Sequence, residues 1–128
     1  MLDLNGKWIY RSFRPGDFAH SLELWAPPGE LSVTTDAAGR VEGLLRFPAV
    51  PGLVLTIEGS LTQGIAGKRP EGVELTGKGG LGSVNALRGY VVGESPVPLI
   101  AGTIVAVAND PGGRPDGTSG PFVLVRAD

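Results

Sequence analysis

Glycine and proline cut this chain into segments that suit strands and little else. They number 21 and 11, and they fall between short apolar runs as punctuation. Within the runs apolar and polar residues alternate, the period of two that a half-buried strand requires. No window carries an i, i+3, i+4, i+7 stripe, so a long helix is not expected. At most one helical turn fits, between Pro15 and Ser21.

The alternation predicts eight strands. The first runs from Lys7 to Phe13. The second covers Ser21 to Trp25 and resumes after Pro27-Pro28-Gly29 as Glu30 to Thr35. The others are Arg40 to Phe47, Leu53 to Thr62, Gly72 to Lys78, Asn85 to Val92, Leu99 to Ala108 and Pro121 to Arg126. Asp36-Ala37-Ala38-Gly39 reads as a hairpin connection with glycine where positive φ is wanted. Parallel crossovers need a dozen or more residues, usually helical, and none is present. An antiparallel meander remains. Its single apolar face and its two free edges are both covered if it closes, so the expected fold is all-β, an up-and-down β-barrel of about eight strands.

The 128 residues suit a single β-barrel domain spanning 1–128. Hydrophobic residues make up 41% and aromatic ones 6%, so the core must come mainly from Val, Leu, Ile and Ala. Cysteine is absent, which removes disulfides, thiolate nucleophiles and cysteine metal sites. Formal net charge is −2 and the basic residues never cluster, so no nucleic-acid face is expected. The opening Met1 to Gly6 lacks the basic and apolar regions of a signal peptide. The longest apolar run, Pro98 to Ala108, is about half of the ~20 residues a membrane helix needs. The expectation is a cytoplasmic protein without membrane contact.

The two ends of the chain carry its most informative residues. In the first strand Trp8, Tyr10 and Ser12 share one face, and Ile9, Arg11 and Phe13 share the other. In the last strand Phe122, Leu124 and Arg126 share a face. A Gly6-x-Trp8 opening and a late Arg126 resemble the calycin group, the lipocalins and avidins. The resemblance implies that Trp8 plugs one barrel end and that Arg126 packs over its ring. That cation–π contact, worth about 0.5–2 kcal/mol, would close the seam between first and last strands. It also implies that Trp8, Tyr10 and Ser12 point inward, on the face where avidins place polar ligand contacts. Biotin itself is not expected: the several tryptophans that box it are reduced here to Trp8 and Trp25, and Tyr10 stands where avidins carry asparagine. The stretch from Asn5 to Phe13, with Pro98 to Thr103, is also similar to a set of short bacterial proteins, a likeness that implies kinship and no activity.

Candidate chemistry is sparse. His20 is the only histidine, so a triad or a two-histidine metal site is incomplete, and neither metal nor cofactor is expected. Gly77-Lys78-Gly79-Gly80-Leu81-Gly82 matches G-x-G-x-x-G, but strand-like residues follow where a pyrophosphate would need a helix N-terminus. A turn or strand end explains it better. Glu58, beside Thr56 and Ser60, belongs to a solvated outer face. Arg88 and Tyr90 share a face; were it inward, they and Tyr10 would suit an anionic or hydroxylated ligand. Asp17, Asp110 and Asp116 lie beside Gly and Pro, and Asn109 to Gly117 reads as turn chemistry without calcium-loop spacing.

Leu99 to Ala108 is apolar on both faces: Leu99, Ala101, Val105 and Val107 on one, Ile100, Ile104, Ala106 and Ala108 on the other. Only one can face a barrel interior. The other is expected to mate with a second copy, giving a homo-oligomer through the outer face of 99–108, unless a loop such as Pro111 to Gly120 covers it. Three functions fit. One is a barrel that binds a small, largely apolar ligand, with Tyr10, Ser12, Trp25, Arg88 and Tyr90 as contacts and Trp8 and Arg126 as closure. The second is an isomerase or cyclase working from Tyr10, Glu58, Arg88 and Tyr90. The third is a structural protein with a filled barrel. Fold alone does not separate them.

Overall fold

A computed structural model of the chain describes residues 3–14, 24–93 and 96–127. Its strands are Gly6–Ser12 (β1), Gly29–Thr35 (β2), Arg40–Arg46 (β3), Val54–Thr62 (β4), Gly72–Lys78 (β5), Val84–Val91 (β6), Leu99–Ala108 (β7) and Ser119–Arg126 (β8). Each pairs antiparallel with the next, and β8 returns to pair with β1, closing the barrel in sequence order. Closure leaves no strand edge to recruit another chain. At the seam Trp8 lies opposite Arg126, Tyr10 opposite Leu124 and Ser12 opposite Phe122.

Period-two alternation sorts every strand into an inner and an outer row. Trp8, Tyr10 and Ser12 are buried together with Leu31, Val33, Val41, Leu45, Leu55, Ile57, Val73, Leu75, Leu87, Ile100, Ile104, Phe122 and Leu124. The core is branched aliphatic with a few rings, as the low aromatic share requires. A barrel this narrow forces its strands to coil tightly, and glycine permits the closest approaches. A Cβ at Gly102 would sit 1.9 Å from the Arg88 carbonyl oxygen on the neighbouring strand.

Three local readings of the sequence meet the structure in different ways. The early part of the second strand, from Ser21, lies mostly outside the described residues, as do His20 and Asp17; Leu24 makes an isolated bridge with Phe13 and Trp25 is in no strand. The G-x-G-x-x-G stretch ends β5 and makes one 3₁₀ turn at Gly80–Gly82, with β6 following at once. The Asn109 to Gly117 segment is more than a solvated turn, because it folds over one end of the barrel. There Arg114 reaches Trp25, while Val107 on the outer face of β7 stays exposed.

Candidate functional site

β1 runs from the end that holds Trp8 toward the end that holds Trp25, and the two ends are finished differently. At the first, Trp8 is fully buried and its Nε1 donates to the Leu4 carbonyl at 2.9 Å. The Arg126 guanidinium lies 4.5 Å from the Trp8 ring centroid and donates to the carbonyls of Asn5 and Asp3. Asn5 Oδ1 accepts from the Thr35 amide at 2.7 Å, which ties this plug to β2. The Asn5 amide, donating to the Asp3 carboxylate, holds that group below the usual carboxylate range. This end is sealed.

At the other end a cavity of about 210 Å³ opens beneath Trp25, Pro27 and the Asp110–Arg114 loop. Its floor and walls are Tyr10, Leu45, Phe47, Leu55, Leu87 and Ile104, with Asn85 as a polar residue on the wall. Tyr10 meets Phe47 edge-on at 6.1 Å and stacks on Phe122 at 6.3 Å, which fixes its ring from two sides. Burial pushes the Tyr10 phenol well above its ordinary value near 10, so the hydroxyl is neutral and able to donate. The Ser12 hydroxyl is buried beside it without a hydrogen bond of good geometry among the described residues, and it favours the ionised phenol less than burial opposes it.

The cover is held by charge. The Arg114 guanidinium lies 4.7 Å from the Trp25 ring centroid, and its Nη2 donates to the Trp25 carbonyl. Its Nη1 lies 3.5 Å from Asp110 Oδ2, whose side chain is only 5% exposed. The same Oδ2 accepts from the backbone amides of Gly112 at 2.9 Å and Arg114 at 3.3 Å. Asn109, in left-handed backbone at φ 47, turns the chain so that Asp110 points back over the mouth, and its Nδ2 bonds the Gly82 carbonyl. Trp25 fits against β8 because residue 120 is glycine: a Cβ there would stand 2.9 Å from the indole.

Of the residues expected to contact a ligand, Tyr10 and Trp25 line this cavity and Ser12 is buried next to Tyr10. Arg88 and Tyr90 do not join them. Leu87 and Gly89 take the inward positions of β6, so Arg88 faces solvent, paired with Glu74 at 3.2 Å, and Tyr90 is 44% exposed on the barrel's outside. Glu58 is likewise outside, paired with Lys78 at 3.2 Å. Sequence reasoning missed Asn85, Asp110 and Arg114. The available signal was a second tryptophan–arginine set, Trp25 with Arg114, duplicating the residue types of the first. Among the described residues no group of three or more His, Cys, Asp or Glu is placed to hold a metal ion. Compared with protein families, with curated proteins and with solved structures, the chain matches none.

Proposed function

We propose that the chain is a binding barrel, calycin-like in kind, that holds one small and largely apolar molecule at its Trp25 end. The observation that carries this reading is the cavity of about 210 Å³, walled by aliphatic and aromatic side chains, in a barrel whose opposite end is filled. Eight-stranded barrels have room for a packed core or for one small ligand. An apolar cavity of about 150 Å³ takes a benzene ring, so this one suits a single ring with a short substituent. The cavity is what separates this reading from a purely structural barrel. The Arg126–Trp8 contact and the Gly6-x-Trp8 opening support the likeness to lipocalins and avidins.

Copies of the chain associate, in this reading, through the outside of β7 and β8. Leu99 stands beside Val125, Ala101 beside Val123 and Thr103 beside Pro121, and Ile9 of β1 continues the surface past Val125. Such a contiguous apolar area is what a mating surface needs. Native mass spectrometry of protein taken from its source, followed by solvent extraction, tests both parts. The expected result is a mass of two or more chains and one small molecule per chain in the extract. An empty extract, with no chemical-shift change at Tyr10 or Trp25 when toluene is added, overturns the binding reading. A mass of one chain at micromolar concentration overturns the association.

A further inference from the structure

The outer face of β7 and β8 is a strip without charge. Between Leu99 and Val107 on β7, and between Ser119 and Val125 on β8, its outward rows hold apolar residues, serine and threonine, and no carboxylate. The two flanks of the strip differ. One cross-strand row runs Tyr90, Ala101, Val123, Arg11, from β6 over β7 and β8 to β1. At one end of the row the Tyr90 ring is exposed; at the other Arg11 is exposed and has no ion pair among the described residues. Arg88, two residues before Tyr90 on the same face, is already paired with Glu74.

The register behind this row is regular. It slips only at the far end of β6, where Val84 lies opposite Ala108 and Asn85 opposite Ala106, leaving Val107 as the extra residue of a bulge. Neighbouring strands lie about 4.8 Å apart, so Tyr90 and Arg11 are separated by about 14 Å round a convex surface and diverge outward. Two convex barrels touch along a crest and leave a gap on either flank. Here the crest residues, Ala101 and Val123, are small, and the flanking ones are long.

Building on the association reading above, we propose that two copies pair about a two-fold axis parallel to β7 and β8, laying each Tyr90 ring against the partner's Arg11. A half-turn about that axis exchanges the flanks, so ring meets cation twice, as an isologous contact requires. An axis across the strands would set β1 against β1 and bring two Arg11 cations together, which like-charge repulsion opposes. In the parallel arrangement each guanidinium stacks on a ring with apolar surface beside it, where a cation–π contact is strongest.

Sedimentation velocity and native mass spectrometry of the full chain test the pairing. Wild type is expected as two chains or a multiple of two. Arg11→Glu removes the cation and Tyr90→Lys opposes it, and each should weaken the dimer by about ten-fold or more. Mixing the two variants should restore a dimer with one copy of each, because it holds one native Tyr90–Arg11 contact and one new ion pair. Both positions face solvent, and Arg11→Ala and Tyr90→Ala read the same loss if a reversed charge disturbs the fold. Wild-type association that these substitutions leave unchanged, or a mixture that stays as single chains, overturns the pairing and leaves the association reading standing. Wild type as single chains removes both.

Discussion

At one end of the barrel Arg126 lies 4.5 Å from the ring of Trp8; at the other Arg114 lies 4.7 Å from the ring of Trp25. Both arginines also donate to backbone carbonyls, and both tryptophans are buried. What differs is where the arginine comes from and what lies beneath. Arg126 is in β8, opposite Trp8 in the register, so the contact is part of the sheet and the space under it is filled. Arg114 is in a loop, held by a buried carboxylate and a left-handed asparagine, and the space under it is a cavity. A cation–π pair built into a strand seam makes a plug. The same pair carried on a loop makes a cover.

The largest expected difference between the ends is in the tryptophans themselves. Trp8→Ala removes a fully packed ring and should cost about 3–5 kcal/mol in urea unfolding, whereas Trp25→Ala, beside an existing cavity, should cost about 2 kcal/mol. Equal losses would mean that the Trp25 end is packed as tightly as the other, and the comparison would fail. A smaller contrast comes from enlarging the lining. Val41→Phe, deep at the sealed end, should destabilise by about 1–3 kcal/mol, while Leu87→Phe should grow into the cavity at a cost below about 1 kcal/mol and block toluene. Similar costs at the two positions would show that the cavity is not room a side chain can use.

The smallest effect is electrostatic. The Tyr10 phenol titrates near 10 when unfolded and higher when folded, so the native state keeps its proton after the unfolded chain has lost it. Its contribution is complete below pH 10 and declines as pH rises above that value, by at most about 1.4 kcal/mol per pH unit. Tyr10→Phe should flatten the fall of stability between pH 10 and 11.5 relative to wild type. Identical slopes would show that water reaches the hydroxyl and that this end is as wet as the surrounding solvent.

The barrel was legible in the sequence because it depends on spacing: alternation marked the strands, and Gly/Pro clusters marked the turns. The seam was legible through a resemblance: the Gly6-x-Trp8 opening and the late Arg126 are similar to those of known closed barrels, and that likeness implied the contact. The direction of β6 was not. Alternation groups Arg88 with Tyr90, but it cannot say which row is inside when the opposite row holds Asn85 and Gly89 in place of large apolar residues. The Asp110–Arg114 cover was hidden for another reason. Asn109-Asp110-Pro111-Gly112 has the composition of an exposed turn, and only the three-dimensional return of the loop over Trp25 makes its carboxylate a buried group. Asn85 was invisible because a lone polar residue in a strand carries no mark of the irregular register that aims it.

The joining of β8 to β1 bears on how the chain is made. Arg126 donates to the carbonyl of a residue 121 positions earlier, so a protein emerging from the ribosome holds seven strands as a ribbon with both rims bare. Pairing of this sequence separation is slow to form and open to wrong partners until it does. The final strand is the clasp of a bracelet: a nascent chain that stalls shortly before Ser119 leaves a sticky band in place of a ring.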